Sequence, residues 1–154
     1  MKRFELGQSI LEILFATAVV ALVLVAILST IIASVRNSRT SLEQSRATSY
    51  ANEALEWFRK ERDTLGWVAF SSNGPGVGST QTYCFATYPS GIELINSVVG
   101  ECEMNQTIPD SVFRREIVLQ RLNQDDLVVT VTIYRPSRAG ETATVLQGRF
   151  SQWQ

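Results

Sequence analysis

The chain has 154 residues, a length typical of one domain, and a formal net charge of -1. A nearly neutral chain lacks the strong positive field that attracts nucleic acid, so we expect no nucleic-acid partner. Histidine is absent, which removes the commonest general base and metal ligand, and two cysteines alone are too few for a zinc site. We therefore expect no catalytic residue, no metal and no cofactor.

The first predicted element is a long apolar helix near the N-terminus. Residues 13–35 contain no Asp, Glu, Lys or Arg. Since about 20 helical residues cross the ~30 Å hydrocarbon core of a bilayer, this run is long enough to span it. Lys2 and Arg3 precede the run, which predicts a cytoplasmic N-terminus and export of the remainder. Arg36 and Arg39 follow the run and weaken that charge asymmetry.

Two simpler interpretations of this run are a cleaved signal peptide and a plain signal anchor. A signal peptide has an apolar region of about 7–15 residues before a small-x-small cleavage site. The run here is longer, and no Ala-x-Ala pattern ends it. A plain anchor does not explain Glu12, which stands where the run begins. An acidic side chain at bilayer depth costs about 2.5–3.5 kcal/mol on insertion scales, so Glu12 requires a cationic partner.

The sequence KRFELGQSILEILFATAVVALVLVAIL resembles the processing and assembly signature of type IV pilins and type II secretion pseudopilins. That signature is a short basic leader ending in Gly, a cleavage after this Gly, a Glu at the fifth mature position and an apolar helix. The Gly is Gly7, the first mature residue is Gln8 and the fifth is Glu12. Major pilins usually begin with Phe, and the start GQSILE is more similar to minor pilins and pseudopilins.

The resemblance implies that a membrane prepilin peptidase cleaves between Gly7 and Gln8 and methylates the new N-terminal amine. It also implies that Glu12 meets the N-terminal amine of a neighbouring subunit, which supplies the missing cation and sets the axial register. The chain would then comprise a leader (1–7), a transmembrane and filament-core half of the helix (8–35) and an exported head (36–154).

The same resemblance predicts the partners and the location. The partners are other pilin subunits, the prepilin peptidase, an inner-membrane assembly platform and, before assembly, membrane lipid. The subunit would cross the inner membrane once, with its N-terminus in the cytoplasm, and would then join an extracellular or periplasmic filament. Two alternatives stay open: the major pilin of the same filament, and a signal-anchored extracytoplasmic binding domain.

The helix is predicted to continue beyond the apolar run, from about residue 9 to about residue 64. Apolar residues at steps of three and four mark one stripe in its second half: Ala47, Tyr50, Ala51, Ala54, Leu55 and Phe58. No proline interrupts the helix, and Leu65-Gly66 is a typical end. We expect the stripe, together with Trp57, to pack against the head.

After this helix the sequence predicts loops and strands. Residues 71–79 are turn material, YCFAT fits a short strand, and GIELINSVV fits a second strand or a short helix. The segments FRREIVLQRL, DLVVTVTIY and ATVLQGRFSQW predict three antiparallel strands with turns at 123–126 and 136–141. Because three strands alone bury too little apolar surface, one face must cover the helix. The predicted fold class is α+β.

The remaining candidates are two cysteines and three arginines. Cys84 and Cys102 would form one disulfide in an exported domain and a pair of thiols in a cytosolic one. We expect Arg114, Arg115 and Arg121 to lie on a solvated strand edge rather than to form a site for DNA or another anionic polymer.

Overall fold

The structure, a computed structural model, describes residues 5–137 and 140–152, with side chains from Ile10 onward. It divides into two compact units, Met1–Glu43 and Gln44–Gln154. The long helix α1 (Glu5–Leu65) contributes to both units, and the second unit also contains a four-stranded sheet. The predicted α+β class, a long N-terminal helix packed on a small antiparallel sheet, is confirmed.

Helix α1 begins about four residues earlier than predicted and ends within one residue of the predicted position. Gly7 is the one poor helix former near its start, and a glycine in a helix costs only about 1 kcal/mol relative to alanine. Gly66 follows the last residue with a φ of 75°, and its N–H donates to the Arg62 carbonyl at 2.9 Å. Glycine adopts this left-handed φ without steric cost, which explains the sharp end of the helix.

A second, short helix that the sequence analysis missed follows at once. Helix α2 (Trp67–Ser72) includes the first two residues of the predicted loop 71–79. It buries Phe70 against Phe58 and Phe150, with ring centroids 6.4 and 6.0 Å apart. The Trp67 indole N–H donates to the Gln124 carbonyl at 3.0 Å. Six residues have little helical stability of their own, so these contacts hold α2 in place.

The sheet contains the predicted three-stranded meander and a fourth strand, which overlaps the short strand predicted at YCFAT only at Tyr83 and Cys84. Strands β1 (Thr80–Cys84), β2 (Arg114–Arg121), β3 (Asp126–Ser137) and β4 (Gly140–Ser151) pair antiparallel in chain order. The ambiguous segment after β1 is a 3₁₀ helix, Ile92–Val98, and not a strand. Strands β3 and β4 extend into the predicted turn 136–141, and residues 138–139 between them lie outside the described residues.

The inner face of the sheet packs on the second half of α1. The predicted stripe is confirmed, because Ala47, Ala51, Ala54, Leu55 and Phe58 are buried and Tyr50 and Trp57 are half-buried. The sheet contributes alternate positions that are fully buried: Ile117, Leu119, Val129, Val131 and Ile133. Side chains alternate between the two faces of a strand, so this spacing of two separates the core from the solvent face.

We expect Gly148→Val to destabilise the second unit by about 1–3 kcal/mol, the usual cost of overpacking a core. A Cβ atom at Gly148 would lie 3.0 Å from Leu55 Cδ2 and 3.3 Å from Phe150 Cε2, so a branched side chain must displace both. Thermal unfolding of the full chain in detergent measures this loss. The matched control is Ala143→Val on the exposed face of β4, which should unfold like the wild type.

Candidate membrane and assembly segment

The first unit presents a long apolar surface over residues 13–35, a stretch without charged side chains. Every side chain that the structure describes in it, from Ile10 to Glu43, is exposed, and Phe15 and Leu22 are each 71% exposed. Among the described residues, the helix that contains this segment is long enough and apolar enough to cross a membrane. Exposed apolar surface of this extent is unfavourable in water, so the segment requires lipid or the apolar faces of other helices.

Three of the four hydroxyl side chains within residues 13–35 are compatible with such surroundings. Thr17, Ser29 and Thr30 donate their hydroxyl protons to the carbonyls of Leu14, Ala26 and Ile27, at 3.0, 2.7 and 2.7 Å. Each donor is therefore satisfied inside the helix, as an apolar medium without water demands. Because these hydroxyls need no water as a hydrogen-bond partner, they allow contact with lipid or with a neighbouring helix.

The predicted processing and register residues lie at the start of this segment. The backbone of Gly7 and Gln8 belongs to α1, but the side chain of Gln8, like Lys2 and Arg3 as a whole, lies outside the described residues. Glu12 is exposed, and within the described part of the chain it has no hydrogen bond or ion pair. The Glu12 carboxylate therefore has no cationic partner among the described residues, and it lies about one helical turn after Gln8.

The predicted disulfide is confirmed in the second unit. Cys84, the last residue of β1, is bonded to Cys102, and the two Cα atoms are 4.8 Å apart. The loop at Cys102 is also tied to β2, since its N–H donates to Glu116 Oε1 at 3.0 Å and its carbonyl accepts from Arg114 Nη1 at 2.7 Å. In the loop-closure description, a crosslink of this span stabilises the fold by about 3 kcal/mol.

The expectation of a solvated arginine edge was wrong. Arg115 has 2% exposure and is one of the most deeply buried side chains described. Arg114 pairs with Glu141 on β4, and Arg121 donates to the Ser71 carbonyl at 2.8 Å. The three arginines thus bind separate parts of the head instead of forming one basic surface. The alternation of β2 could have indicated this, because Arg115 is in phase with the buried Ile117.

Arg115 is the centre of a polar cluster in a shallow cleft beside α1, which we call the Arg115 cluster and which also contains Glu53, Phe85 and Tyr88. Arg115 Nη1 donates to Tyr88 Oη at 2.5 Å and Nε donates to the Phe85 carbonyl at 3.1 Å. Glu53 Oε2 lies 4.0 Å from Nη1. Burial raises the pKa of Tyr88 to about 12, so its hydroxyl stays protonated at neutral pH. Through these contacts Arg115 joins β2 to the segment after β1.

Comparison of this chain with protein-family models, with curated proteins and with solved structures found no match. What the chain does must therefore be inferred from its own sequence and structure.

Proposed function

We propose that this chain is a filament subunit of the type IV pilin class, either a minor pilin or a pseudopilin. The observation that carries the proposal is Glu12, a carboxylate with no hydrogen bond or ion pair among the described residues, placed five residues after Gly7 at the start of an exposed apolar helix. A solitary membrane anchor gains nothing from this carboxylate and loses insertion energy through it. In a bundle of identical or similar helices, the carboxylate has a partner. The N-terminal amine of each processed subunit is a cation at the depth of Glu12 in a neighbouring helix.

Before assembly, the apolar segment holds the subunit in the inner membrane with its head exported. Prepilin peptidase removes residues 1–7 and methylates the amine of Gln8. The assembly platform then moves the subunit from lipid into the filament, where helix-to-helix contact replaces helix-to-lipid contact. Because lipid tails and leucine side chains are similarly apolar, this exchange by itself provides little specificity. The pairing of Glu12 with a neighbouring amine fixes the axial position.

The head supports this role through its construction. It is an α+β unit with a disulfide, which is typical of an oxidising compartment outside the cytoplasm. Its core includes residues from the second half of α1, and the segment that would enter the filament is the first half of the same helix. A subunit built this way carries its head along when its helix is lifted from the membrane.

The decisive experiment is the intact mass of the protein purified from the membranes of its native host. We expect a chain that lacks Met1–Gly7 and carries the additional mass of one methyl group. A Gly7→Val variant, with a branched side chain beside the scissile bond, should keep the leader. A wild-type chain that retains all seven residues would contradict the proposal and favour a signal-anchored binding domain.

The major-subunit alternative is decided by abundance. In sheared filaments, a minor pilin or pseudopilin is a small fraction of the subunits, whereas a major pilin forms the bulk. Quantitative mass spectrometry of the sheared fraction distinguishes the two, and it needs no variant.

A further inference from the structure

Two arginines follow the apolar segment of α1 directly, and the proposed function gives them no role. Arg36 and Arg39 are exposed, and within the described residues neither side chain has a hydrogen bond or an ion pair. They are three residues apart, so they lie next to each other on one face of the helix. The residues between and after them, Asn37, Ser38 and Thr40, are polar and also exposed.

Their location conflicts with simple rules of topology. Basic residues after a span oppose the orientation that Lys2 and Arg3 favour, because positive charge tends to remain cytoplasmic. Two such residues at this point weaken the very export that the head requires. An interaction specific to this position would offset the disadvantage.

The length of the apolar run indicates what Arg36 and Arg39 meet. Residues 13–35 form about 34 Å of helix at about 1.5 Å per residue, close to the ~30 Å thickness of the hydrocarbon core. When Glu12 is at one boundary, Arg36 and Arg39 are at the other, in the layer of lipid phosphates. Long basic side chains at helix ends extend into this layer while their methylene stems cover apolar surface.

We propose that Arg36 and Arg39 bind the phosphates of anionic phospholipids in the exported leaflet and so fix the depth of the subunit before assembly. A guanidinium presents a planar fork of donors that matches a phosphate in two-point contact, and two adjacent forks can hold one headgroup between them. This inference rests on the proposed membrane anchor. It does not depend on leader cleavage or on filament formation.

The test uses the full chain in lipid nanodiscs that contain one third phosphatidylglycerol and two thirds phosphatidylcholine. Spin-labelled lipids report which headgroup is enriched at the protein surface. At low salt we expect the wild type to prefer phosphatidylglycerol by about fivefold per arginine, the factor that corresponds to about 1 kcal/mol for a basic residue at an anionic surface. Arg36→Gln/Arg39→Gln should remove this preference. The matched control, Arg59→Gln/Lys60→Gln, removes the same charge from exposed positions of the same helix in the second unit and should retain it.

A wild type without headgroup preference, a double variant that keeps the preference, or a control that loses it would overturn the lipid assignment. A double variant with unchanged lipid preference and defective assembly would show that the arginines contact a neighbouring subunit instead. Failure of the proposed anchor is seen separately, because a chain without a membrane helix would not float with vesicles of pure phosphatidylcholine.

Discussion

Glu12→Ala is expected to insert into the membrane normally and to be almost absent from filaments. Removing the carboxylate should not impair insertion, since an acidic group at the boundary of the hydrocarbon core opposes entry of the helix rather than favouring it. In the filament the same change leaves the amine of a neighbour without its counter-ion among apolar helices. Breaking a buried pair by removing one partner costs about 3–5 kcal/mol, which corresponds to a loss of incorporation of about two to nearly four orders of magnitude. Immunoblots of membrane and sheared fractions measure the ratio.

Three further variants separate charge from shape. Glu12→Gln keeps the size of the side chain and removes its charge, so it should fail as severely as Glu12→Ala. Glu12→Asp keeps the charge on a shorter stem and should be intermediate. Thr17→Val removes a hydroxyl that is already bonded to the Leu14 carbonyl, and it should assemble like the wild type. Normal incorporation of Glu12→Ala would refute the register role even if the leader is cleaved as proposed.

The long helix was predictable because its signals agree along the whole length. A charge-free run, an apolar stripe at helical spacing and a terminal glycine all indicate one uninterrupted element, and no proline opposes it. The C-terminal strands were predictable for the same reason, since the alternation through Val129, Val131 and Ile133 fits one buried face. Both patterns are local and repeat over many residues.

The elements that were missed depend on contacts distant in sequence. Helix α2 is only six residues long and is fixed by Phe70 packing on Phe58 and Phe150, partners that no local pattern reveals. The short strand predicted at YCFAT lies three residues earlier than predicted, because β1 is fixed by its pairing with β2, as in Tyr83 opposite Ile117. For the candidate segment, the sequence supplies Gly7, Gln8 and Glu12 through their spacing. The structure adds that this helix is exposed and that Glu12 has no hydrogen bond or ion pair with any residue in 5–137 or 140–152.

Arg115 shows how charge can mislead a sequence analysis. Three arginines near one strand indicated a solvated surface because charged side chains are rarely buried without partners. The partners exist, but they come from α1 and from the segment after β1: Glu53, Phe85 and Tyr88. The position of Arg115 in the alternating pattern predicts its burial better than its charge does, since it lies at a spacing of two from the buried Phe113 and Ile117.

Arg115→Ala is expected to cost about 3–5 kcal/mol, the largest stability loss that we expect for a single change in the second unit, because it opens a cavity and removes the donor to two acceptors. The variant removes the donors to the Phe85 carbonyl and to the Tyr88 hydroxyl, and it leaves a cavity beneath the Tyr88 ring, whose centroid lies 4.0 Å from the guanidinium carbon. At about 2–4 °C per kcal/mol, the melting temperature should fall by roughly 6–20 °C. Tryptophan fluorescence of the full chain in detergent follows this transition, since Trp57 is stacked 5.9 Å from Tyr88.

Further substitutions at Glu53 and Arg115 should differ in their stability cost, and the difference tests which contact of Arg115 causes the loss. Glu53 has a side chain that is 56% exposed, so water screens its attraction to Arg115, and Glu53→Gln should cost less than about 1 kcal/mol. Arg115→Met fills most of the volume without restoring the donors, and it should fall between Arg115→Ala and the wild type. A loss below about 1 kcal/mol for Arg115→Ala would show that the cluster does not hold the segment after β1. A large loss for Glu53→Gln would instead make the ion pair, and not the hydrogen bonds of Arg115, the main stabilising contact.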